Sequence, residues 1–531
     1  MTARPSLEEA RSRLRELGYL DAGVERLLFK PVFEWRGGAF LPAVILGAFA
    51  AALAAVAAAD AAEPGFGSSP SSAAVLFLHI FLADLLPAAI LAFGLAKMAE
   101  RSRSPGSAAT LAGLGAAALV FLLWLAGTYA LARELSPRAL LWGVPIAISA
   151  LLLAAAARLA FLAKAFERSG ALPSRGARRV FALAAAAGLL TAGLLFFWRR
   201  EPPPPVPPPH PAPRSVPVVV LAIDGLDLDS SGKGTRAAAL LAGGSTGWWP
   251  AYSASPPEIW TTIASGVSPR RHGVRALARL RPIGSSAALR PPFGTAWYLR
   301  RLGRALRLVS NAPVSGADRR SLDFWEVAAS AGIPSLSVGW WAAAPWPGAT
   351  VVENRAIFSR SRDAVDADRI ALASFEAAAE EGFGVQTVYL PGCDIARSDA
   401  VRRAAVLGRL EPFLSRRIDL ARGGRLVLAV VAADSHPSPG SLARLVVFDR
   451  GGPRRTVRIR PEDVTPSILA RAGVPAAGDL EGRPVAALFS PDSLDRTTVA
   501  TYGPRVLPAA APEPESDREY LEKLRSLGYL K

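Results

Sequence analysis

Five long apolar runs fill the first part of this 531-residue chain. They fall at about 40–60, 74–96, 108–133, 139–163 and 180–198. Each is close to the ~20 residues that a helix needs to cross a hydrocarbon core of ~30 Å. The pattern predicts an α-helical membrane domain of five transmembrane helices over residues 39–199. Buried helices of a soluble protein are the alternative, but five such runs in succession are typical of membrane proteins.

Lysine and arginine alternate between the predicted loops. Seven of them precede the first run, whereas residues 61–73 have none. Basic residues return in the second loop, thin out in the third and return in the fourth. By the positive-inside rule, residues 1–38 form a cytoplasmic amphipathic segment and the chain beyond Trp198 is periplasmic or extracellular, although Arg199 and Arg200 oppose this orientation. The prediction is a multi-pass protein of the inner (plasma) membrane.

A proline-rich stretch separates two unlike halves of the chain. Residues 201–217 read EPPPPVPPPHPAPRSVP, a density of proline that forbids helix and favours a stiff, extended spacer. We therefore predict a linker at residues 200–217; a proline-rich recognition motif is the alternative. The unbroken apolar run VVVLAID that follows is typical of a parallel strand covered on both faces. It predicts an α/β domain at 218–490, with a mostly parallel sheet covered by helices, before a tail at 491–531 with a C-terminal helix.

The two termini carry nearly the same short sequence. LRELGYL spans Leu14–Leu20 and LRSLGYL spans Leu524–Leu530, each after a capping-box pattern, Ser6 with Glu9 and Ser516 with Glu519. Each is predicted to be a short amphipathic helix that ends at a glycine. On the predicted topology the two helices lie on opposite sides of the membrane, so coincidence is the favoured explanation. Docking of the two is the alternative for a different topology.

The net charge of +17 comes mainly from arginines spread along the chain, with no recognisable nucleic-acid-binding module. Arginine is concentrated between Arg270 and Arg307, where it would attract a phosphate-containing substrate or an anionic ligand. A solvated basic surface is the alternative. The single cysteine, Cys393, excludes an internal disulfide.

Three apolar runs of the second half end at or near an aspartate: VVVLAID at Asp224, VQTVYLPGCD at Asp394 and LVLAVVAAD at Asp434. Because the carboxyl ends of parallel strands meet at one edge of a sheet, the three carboxylates are expected to lie together. Such a cluster is the minimum frame of a metal-assisted phosphoryl-transfer site.

Four segments in this order resemble the type I phosphodiesterase/nucleotide pyrophosphatase branch of the alkaline phosphatase superfamily. They are VVVLAIDG (218–225), PPEIWTTIASGVSPRRHGV (256–274), FWEVAASAGIPSLSVGWWAAAPWPGATVVENR (324–355) and PEDVTPSILARAGVPAAGDLEGRPV (461–485). The resemblance covers roughly residues 215–490 and implies an alkaline-phosphatase-like fold that hydrolyses or transfers phosphoryl esters with bound metal. It matches Asp224, Asp394 and Asp434 to metal ligands.

The sequence departs from this family at the site itself. Ser398 and Ser435 stand where the resemblance implies metal-binding histidines, His436 comes one position late, and a third histidine has no counterpart. Pro256 occupies the position of the nucleophile, which leaves Ser255, one residue earlier, and Thr261 as candidate catalytic hydroxyls; helix packing is the alternative role of Thr261.

Two hypotheses follow. The first is a membrane-anchored, extracytoplasmic phosphodiesterase or phosphatase with an atypical site. Its candidate ligands are Asp224, Asp394, Asp434 and His436, which suit Zn, Mn or Mg rather than a standard two-zinc centre. The second is a catalytically inactive pseudoenzyme of the same fold that binds an anionic envelope ligand or partner.

Overall fold

The computed structural model describes residues 44–53, 70–101, 216–228, 235–282, 309–379, 382–491, 493–503 and 514–530, with a few isolated positions. The chain divides into two compact units. One comprises residues 1–199 with 290–298, and the other comprises residues 200–289 with 299–531.

The described part of the first unit contains two apolar helices, α1 (Val44–Leu53) and α2 (Pro70–Arg101). The helix α1 lies within the first predicted span, and α2 includes the whole of the second. Among the described residues no single helix is long and apolar enough to cross a membrane, but two pieces of α2, Ala74–Leu82 and Asp84–Gly94, together reach the required length and composition across a bend of 42°. The last three predicted spans and most of the proline-rich linker lie outside the described residues.

The second unit alternates strands and helices. Its strands are β1 (Val218–Asp224), β2 (Ser245–Pro250), β3 (Ala278–Pro282), β4 (Val309–Pro313), β5 (Ser335–Val338), β6 (Ala349–Val352), β7 (Val385–Leu390), β8 (Val427–Ala433), β9 (Leu442–Phe448), β10 (Thr456–Arg458), β11 (Ala476–Ala477) and β12 (Thr498–Val499). Its helices are α3 (Arg236–Leu241), α4 (Pro256–Ser265), α5 (Pro269–His272), α6 (Phe324–Ser330), α7 (Asn354–Arg360), α8 (Ala364–Ala379), α9 (Gly392–Ile395), α10 (Ala400–Arg422), α11 (Val464–Ala472) and α12 (Pro514–Ser526).

Eight strands form one sheet in the order β10-β2-β9-β8-β1-β7-β5-β6. Only β9 runs against its neighbours in this sheet, because it pairs antiparallel with both β2 and β8 while the other pairings are parallel. The predicted mostly parallel α/β sheet is therefore confirmed.

Helices cover both faces of the sheet. The side chains of β1 alternate between two hydrophobic cores, with Val218, Val220 and Ala222 in one and Val219, Leu221 and Ile223 in the other. Helices α4, α6, α11 and α12 contribute to the first core, and α3, α8 and α10 to the second. Burial on both faces explains why β1 reads as an unbroken apolar run instead of an alternating one.

The segment that resembles the closing signature of the family ties the helices of the first core together. The Asp463 carboxylate accepts hydrogen bonds from the backbone N–H groups of Arg460 and Arg483 at 2.8 and 2.9 Å. Thr465 Oγ1 donates to the carbonyl of Ile263 in α4 at 2.7 Å. The aspartate and the threonine of this motif thus have structural roles in the described chain.

The C-terminal helix α12 packs onto the second unit. It buries Tyr520, Leu521 and Leu524 in the first core. The helix begins at Pro514, so the prediction of an N-terminal cap at Ser516 is wrong: this hydroxyl lies inside the first turn and accepts a hydrogen bond from Arg355 at 3.1 Å. The matching N-terminal segment lies almost entirely outside the described residues.

Candidate functional site

The three predicted aspartates lie at the carboxyl ends of three neighbouring strands, β8, β1 and β7. Asp224 is the last residue of β1 and Asp434 follows β8 directly. Asp394 differs from the prediction in one respect, because β7 ends at Leu390 and Asp394 lies in the short helix α9. The sheet nevertheless brings the carboxylates to the same edge, as the strand pattern predicts.

Gly225 allows the turn after β1 to approach Asp394 closely. Its φ angle is +76°, and a Cβ atom at this position would lie 2.6 Å from the backbone nitrogen of Asp394. Any side chain would therefore clash with the loop that carries this aspartate. The glycine after VVVLAID is a requirement of the site's packing.

Asp224 is completely buried and receives its hydrogen bonds from two hydroxyl groups. Tyr389 Oη donates to Oδ2 at 2.8 Å, and Ser435 Oγ lies 3.1 Å from Oδ1 and 3.2 Å from Oδ2. Burial, followed by the negative charge of Asp394, raises the pKa of the Asp224 carboxyl well above its usual value.

Arg397 lies between the other two aspartates. Its guanidinium Nη2 donates to the Oδ1 atoms of both Asp394 and Asp434, and its Nη1 donates to the carbonyl of His436 at 2.6 Å. Burial lowers the pKa of Arg397, but the charges of Asp394 and Asp434 outweigh it and raise this pKa. The guanidinium therefore stays charged and partly neutralises the pair.

His436 is held by its backbone while its side chain faces solvent. Its N–H donates to Asp434 Oδ1 at 2.8 Å, and its ring Nδ1 lies 3.7 Å from Asp394 Oδ1, with the side chain 60% exposed. Ligand atoms of Asp394, Asp434 and His436 lie within 4.8 Å of one another. The structure thus brings together three of the four predicted metal ligands. Asp224 is not part of this group and is hydrogen-bonded to Tyr389 and Ser435 instead.

Neither candidate hydroxyl has the environment of an activated nucleophile. Ser255 is the N-cap residue of α4, and its hydroxyl donates to the carbonyl of Arg275 at 3.0 Å. Thr261 is buried within α4, and its hydroxyl has no hydrogen-bond partner among the described residues. Pro256, at the family's nucleophile position, is the first residue of the same helix.

Ser398 and His272 are the other two residues that bear on the missing histidine ligands. Ser398, which replaces a histidine, is exposed at the start of α10, where Asp399 caps the helix by accepting from the Arg402 N–H at 3.0 Å. His272 is buried, with Nε2 3.0 Å from Thr262 Oγ1 and Nδ1 accepting from the Val274 N–H. A histidine held at both ring nitrogens is unable to supply the missing ligand.

The C-terminal segment also reaches this site. The ring of Tyr529 lies 5.6 Å from those of Trp341 and Phe358, and its hydroxyl is buried without a hydrogen-bond partner among the described residues. Burial and then the charges of Asp394 and Asp224 raise the pKa of this hydroxyl well above its usual value. Tyr529 therefore lies within electrostatic reach of the carboxylates.

The described residues do not fit a two-metal centre. Hydroxyl groups from Tyr389 and Ser435 satisfy Asp224, and Arg397 satisfies Asp394 and Asp434. Ser435 stands at a position where the resemblance implies a histidine, and it donates to Asp224. The chain's own donors thus engage all three carboxylates.

Sequence reasoning missed Arg397, Tyr389 and Tyr529. Arg397 had a readable signal, since it comes three residues after Asp394 and directly before the serine that replaces a histidine. Tyr389 is one residue before the end of β7. Because side chains alternate between the two faces of a strand, its ring lies on a face that packs into the hydrophobic core. Tyr529 had no local signal, because its approach depends on where α12 docks.

Three arginines of the predicted basic stretch lie near carboxylates. Arg279 pairs with Asp318, Arg281 Nη1 lies 2.6 Å from Asp517 Oδ2, and Arg271 lies 3.9 Å from the nearest carboxylate oxygens of both Asp479 and Glu481. Residues 283–304 and 306 of this stretch lie outside the described residues. Arg270 and Arg275 are exposed.

No protein-family model and no curated protein matches the chain. Among solved structures, a phosphonate monoester hydrolase from Silicibacter pomeroyi is similar at 14% sequence identity and a TM-score of 0.32, over 52% of this chain and 78% of that chain. A protein from Pyrococcus horikoshii is similar at 12% identity and a TM-score of 0.29, over 48% of this chain and 96% of that chain. Similarities of this strength assign neither a substrate nor a mechanism to this chain.

Proposed function

We propose that the second unit is a non-hydrolytic binding or scaffolding module, a pseudoenzyme that has the fold of a metal-dependent phosphoesterase. The observation that carries this proposal is the position of Arg397, whose guanidinium donates to both Asp394 and Asp434. These carboxylates are the ones that a catalytic cation would need. The guanidinium of Arg397 already offsets one of their two negative charges from within the chain.

Arg397 weakens the attraction of this cluster for a cation. A divalent ion about 4 Å from a guanidinium is repelled by roughly 8 kcal/mol at an effective dielectric constant of about 20, which offsets the attraction of one carboxylate at the same distance. For a metal to take the Oδ1 atoms of Asp394 and Asp434, Arg397 would have to leave them.

The nucleophile position supports the same proposal. Phosphoryl transfer through a covalent intermediate needs a side-chain oxygen that a base or a metal activates. Pro256 has none, and the Ser255 hydroxyl donates its proton to a backbone carbonyl instead of a base.

A single-metal phosphoesterase is the second candidate. Its supporting observation is the proximity of Asp394, Asp434 and His436, whose ligand atoms lie within 4.8 Å of one another. In that case Arg397 would turn towards solvent, which its one-third exposed side chain allows. It would then be available to bind a phosphate oxygen.

We further propose that the apolar first half anchors this module in the inner membrane and leaves it outside the cytoplasm. The alternation of basic residues between loops supports this topology. The proposed ligand is anionic and phosphate-containing, in keeping with the net charge of +17 and the exposed Arg270 and Arg275.

The deciding experiment measures bound metal and phosphodiester hydrolysis in the full-length chain, purified in detergent and dialysed against trace Zn²⁺, Mn²⁺ and Mg²⁺. We expect no tightly bound ion and no turnover of bis-p-nitrophenyl phosphate, since Arg397 already occupies the Oδ1 atoms of both aspartates. Arg397→Ala should gain one weakly bound divalent ion. The matched control is Arg402→Ala, which removes an exposed arginine five residues away.

One tightly bound ion in the wild-type chain, lost in Asp394→Asn, would establish the single-metal phosphoesterase instead. Saturable hydrolysis that disappears in the same variant would do so independently.

A further inference from the structure

The strongest unexplained feature is the groove that receives the C-terminal helix. Its floor consists of aromatic side chains from three separate elements, Trp341, Phe358 and Tyr389, all nearly inaccessible to solvent. The Trp341 ring lies 5.4 Å from that of Phe358 and 6.2 Å from that of Tyr389. Tyr389 is also the residue that donates to Asp224. The groove therefore adjoins the carboxylate cluster.

The helix makes polar contacts along the rim of this groove. Asp517 pairs with Arg281 at 2.6 Å and with Arg355. The Arg355 guanidinium also lies 5.0 Å from the centre of the Tyr520 ring, within the range of a cation–π contact. Arg281 belongs to β3 and Arg355 to α7, and both contact the first turns of α12. The rim therefore recognises the charged and aromatic side chains at the start of this helix.

The end of the helix fills the apolar centre. Leu524 is fully buried and Leu527 nearly so. Gly528 has a φ angle of +90°, and the Tyr529 N–H turns back to the carbonyl of Leu524 at 2.9 Å. This left-handed stop lets Tyr529 leave the helix direction and stand edge-on to Trp341, with 82° between the ring planes.

These contacts have the composition of a helix-in-groove interface. An apolar, aromatic centre is surrounded by charged groups at the rim, as in complexes between an amphipathic helix and its receptor. A helix of 13 residues is marginal in water by itself, so α12 gains its stability from docking.

We propose that this groove is a peptide-binding site for a short amphipathic helix that ends in Leu-Gly-Tyr-Leu, and that the resident ligand is the chain's own C-terminal segment, residues 514–530. The segment is an exchangeable cap beside the carboxylate cluster. This inference goes beyond the proposed function, because it concerns a second, peptide ligand in a separate groove, and it does not depend on whether the cluster holds metal.

The N-terminal segment offers a natural comparison. Residues 17–20 repeat Leu-Gly-Tyr-Leu, and Leu14 corresponds to Leu524. Leu7 and Ala10, however, stand at the positions of Asp517 and Tyr520. A peptide of residues 5–20 should therefore fill the centre of the groove and miss its rim.

The test uses the full-length chain with a specific protease site inserted after Ala510, so that the tail is cut only after folding. Rebinding of a fluorescent peptide of residues 514–531 is followed by anisotropy, and folding of the remaining protein by its thermal transition. We expect the cut tail to exchange with the labelled peptide and the protein to stay folded without it. Metal content and hydrolysis of the uncut chain are unaffected by this outcome.

Peptide variants identify the determinant. Tyr529→Ala should weaken binding at least tenfold, because an aromatic anchor is removed from the centre of the interface. The matched control, Glu522→Ala, changes an exposed residue of the same helix and should bind as the parent does. The 5–20 peptide should compete, but more weakly than the tail peptide.

Three results would overturn the proposal. Unfolding of the protein on tail release would make α12 a fixed part of the core. If the Tyr529→Ala peptide bound as tightly as the parent peptide, Tyr529 would not anchor the interface. Failure of the 5–20 peptide to compete at a hundredfold excess would show that Leu-Gly-Tyr-Leu is not what the groove recognises.

Discussion

The hydroxyl of Ser435 donates to the buried carboxyl group of Asp224, 3.1 Å from Oδ1 and 3.2 Å from Oδ2. Ser435 stands where the family resemblance implies a histidine that binds metal. In this chain the residue makes a direct hydrogen bond to the carboxyl group at the end of β1.

Removal of that hydroxyl should destabilise the chain. Ser435→Ala leaves part of a buried acid unsatisfied, which costs about 1–3 kcal/mol in the free energy of unfolding. Urea denaturation measures the loss. Ser438→Ala, at an exposed position of the same loop, is the control and should be within about 0.5 kcal/mol of the wild type. Equal stability of both variants would contradict the assigned role.

Tyr389 and Ser435 should behave as a coupled pair. Tyr389→Phe removes the other donor to Asp224 and should cost a similar amount. Because both hydroxyls serve one carboxyl group, the double variant should deviate from additivity by about 0.5–3 kcal/mol. A double-mutant cycle in urea measures this coupling, and simple additivity would show that the two donors act independently.

Asp368 should make stability fall with rising pH. Its carboxyl is buried in α8 and accepts from the Gly392 N–H at 2.7 Å, and burial raises its pKa to about 7. The folded chain thus binds this proton more tightly than the unfolded chain, whose Asp pKa is about 3.9. The contribution is fully present below about pH 4 and is lost as the pH rises through about 7.

Asp368→Asn keeps the acceptor and removes the titration. Relative to wild type, the variant should gain up to roughly 4 kcal/mol between pH 4 and pH 8. Unfolding curves at several pH values test this, with Asp419→Asn on an exposed face of α10 as control. Parallel pH profiles for wild type and Asp368→Asn would rule out the assignment.

The proposed topology can be tested in intact cells with a membrane-impermeant maleimide. Cys393 is the only cysteine and is buried, so the wild-type chain should remain unlabelled. Under the proposed topology Ser438→Cys should react from outside, whereas Ser12→Cys should react only after permeabilisation. The reverse pattern would invert the orientation.

Local patterns predicted the frame of the site well. The apolar run of β1, the strand-terminal Asp224 and Asp434, and the glycine that follows β1 all follow from rules that act over a few residues. The mostly parallel sheet follows from the same pattern.

The hydrogen bonds and charges within the site depend on contacts between residues that are far apart in the sequence. Arg397 joins two loops from different strands, and Tyr529 reaches the cluster only through the docking of α12. Nothing in their neighbouring residues sets these distances. The helix cap predicted at Ser516 failed for a similar reason, since Arg355 from another helix engages that hydroxyl.

Arg397 is part of the polypeptide, so every copy of the chain carries its guanidinium. Under the proposed function, a chain whose own guanidinium occupies its acidic cluster needs no metal ion to hold these two strand ends together. Chelators should then leave its fold intact.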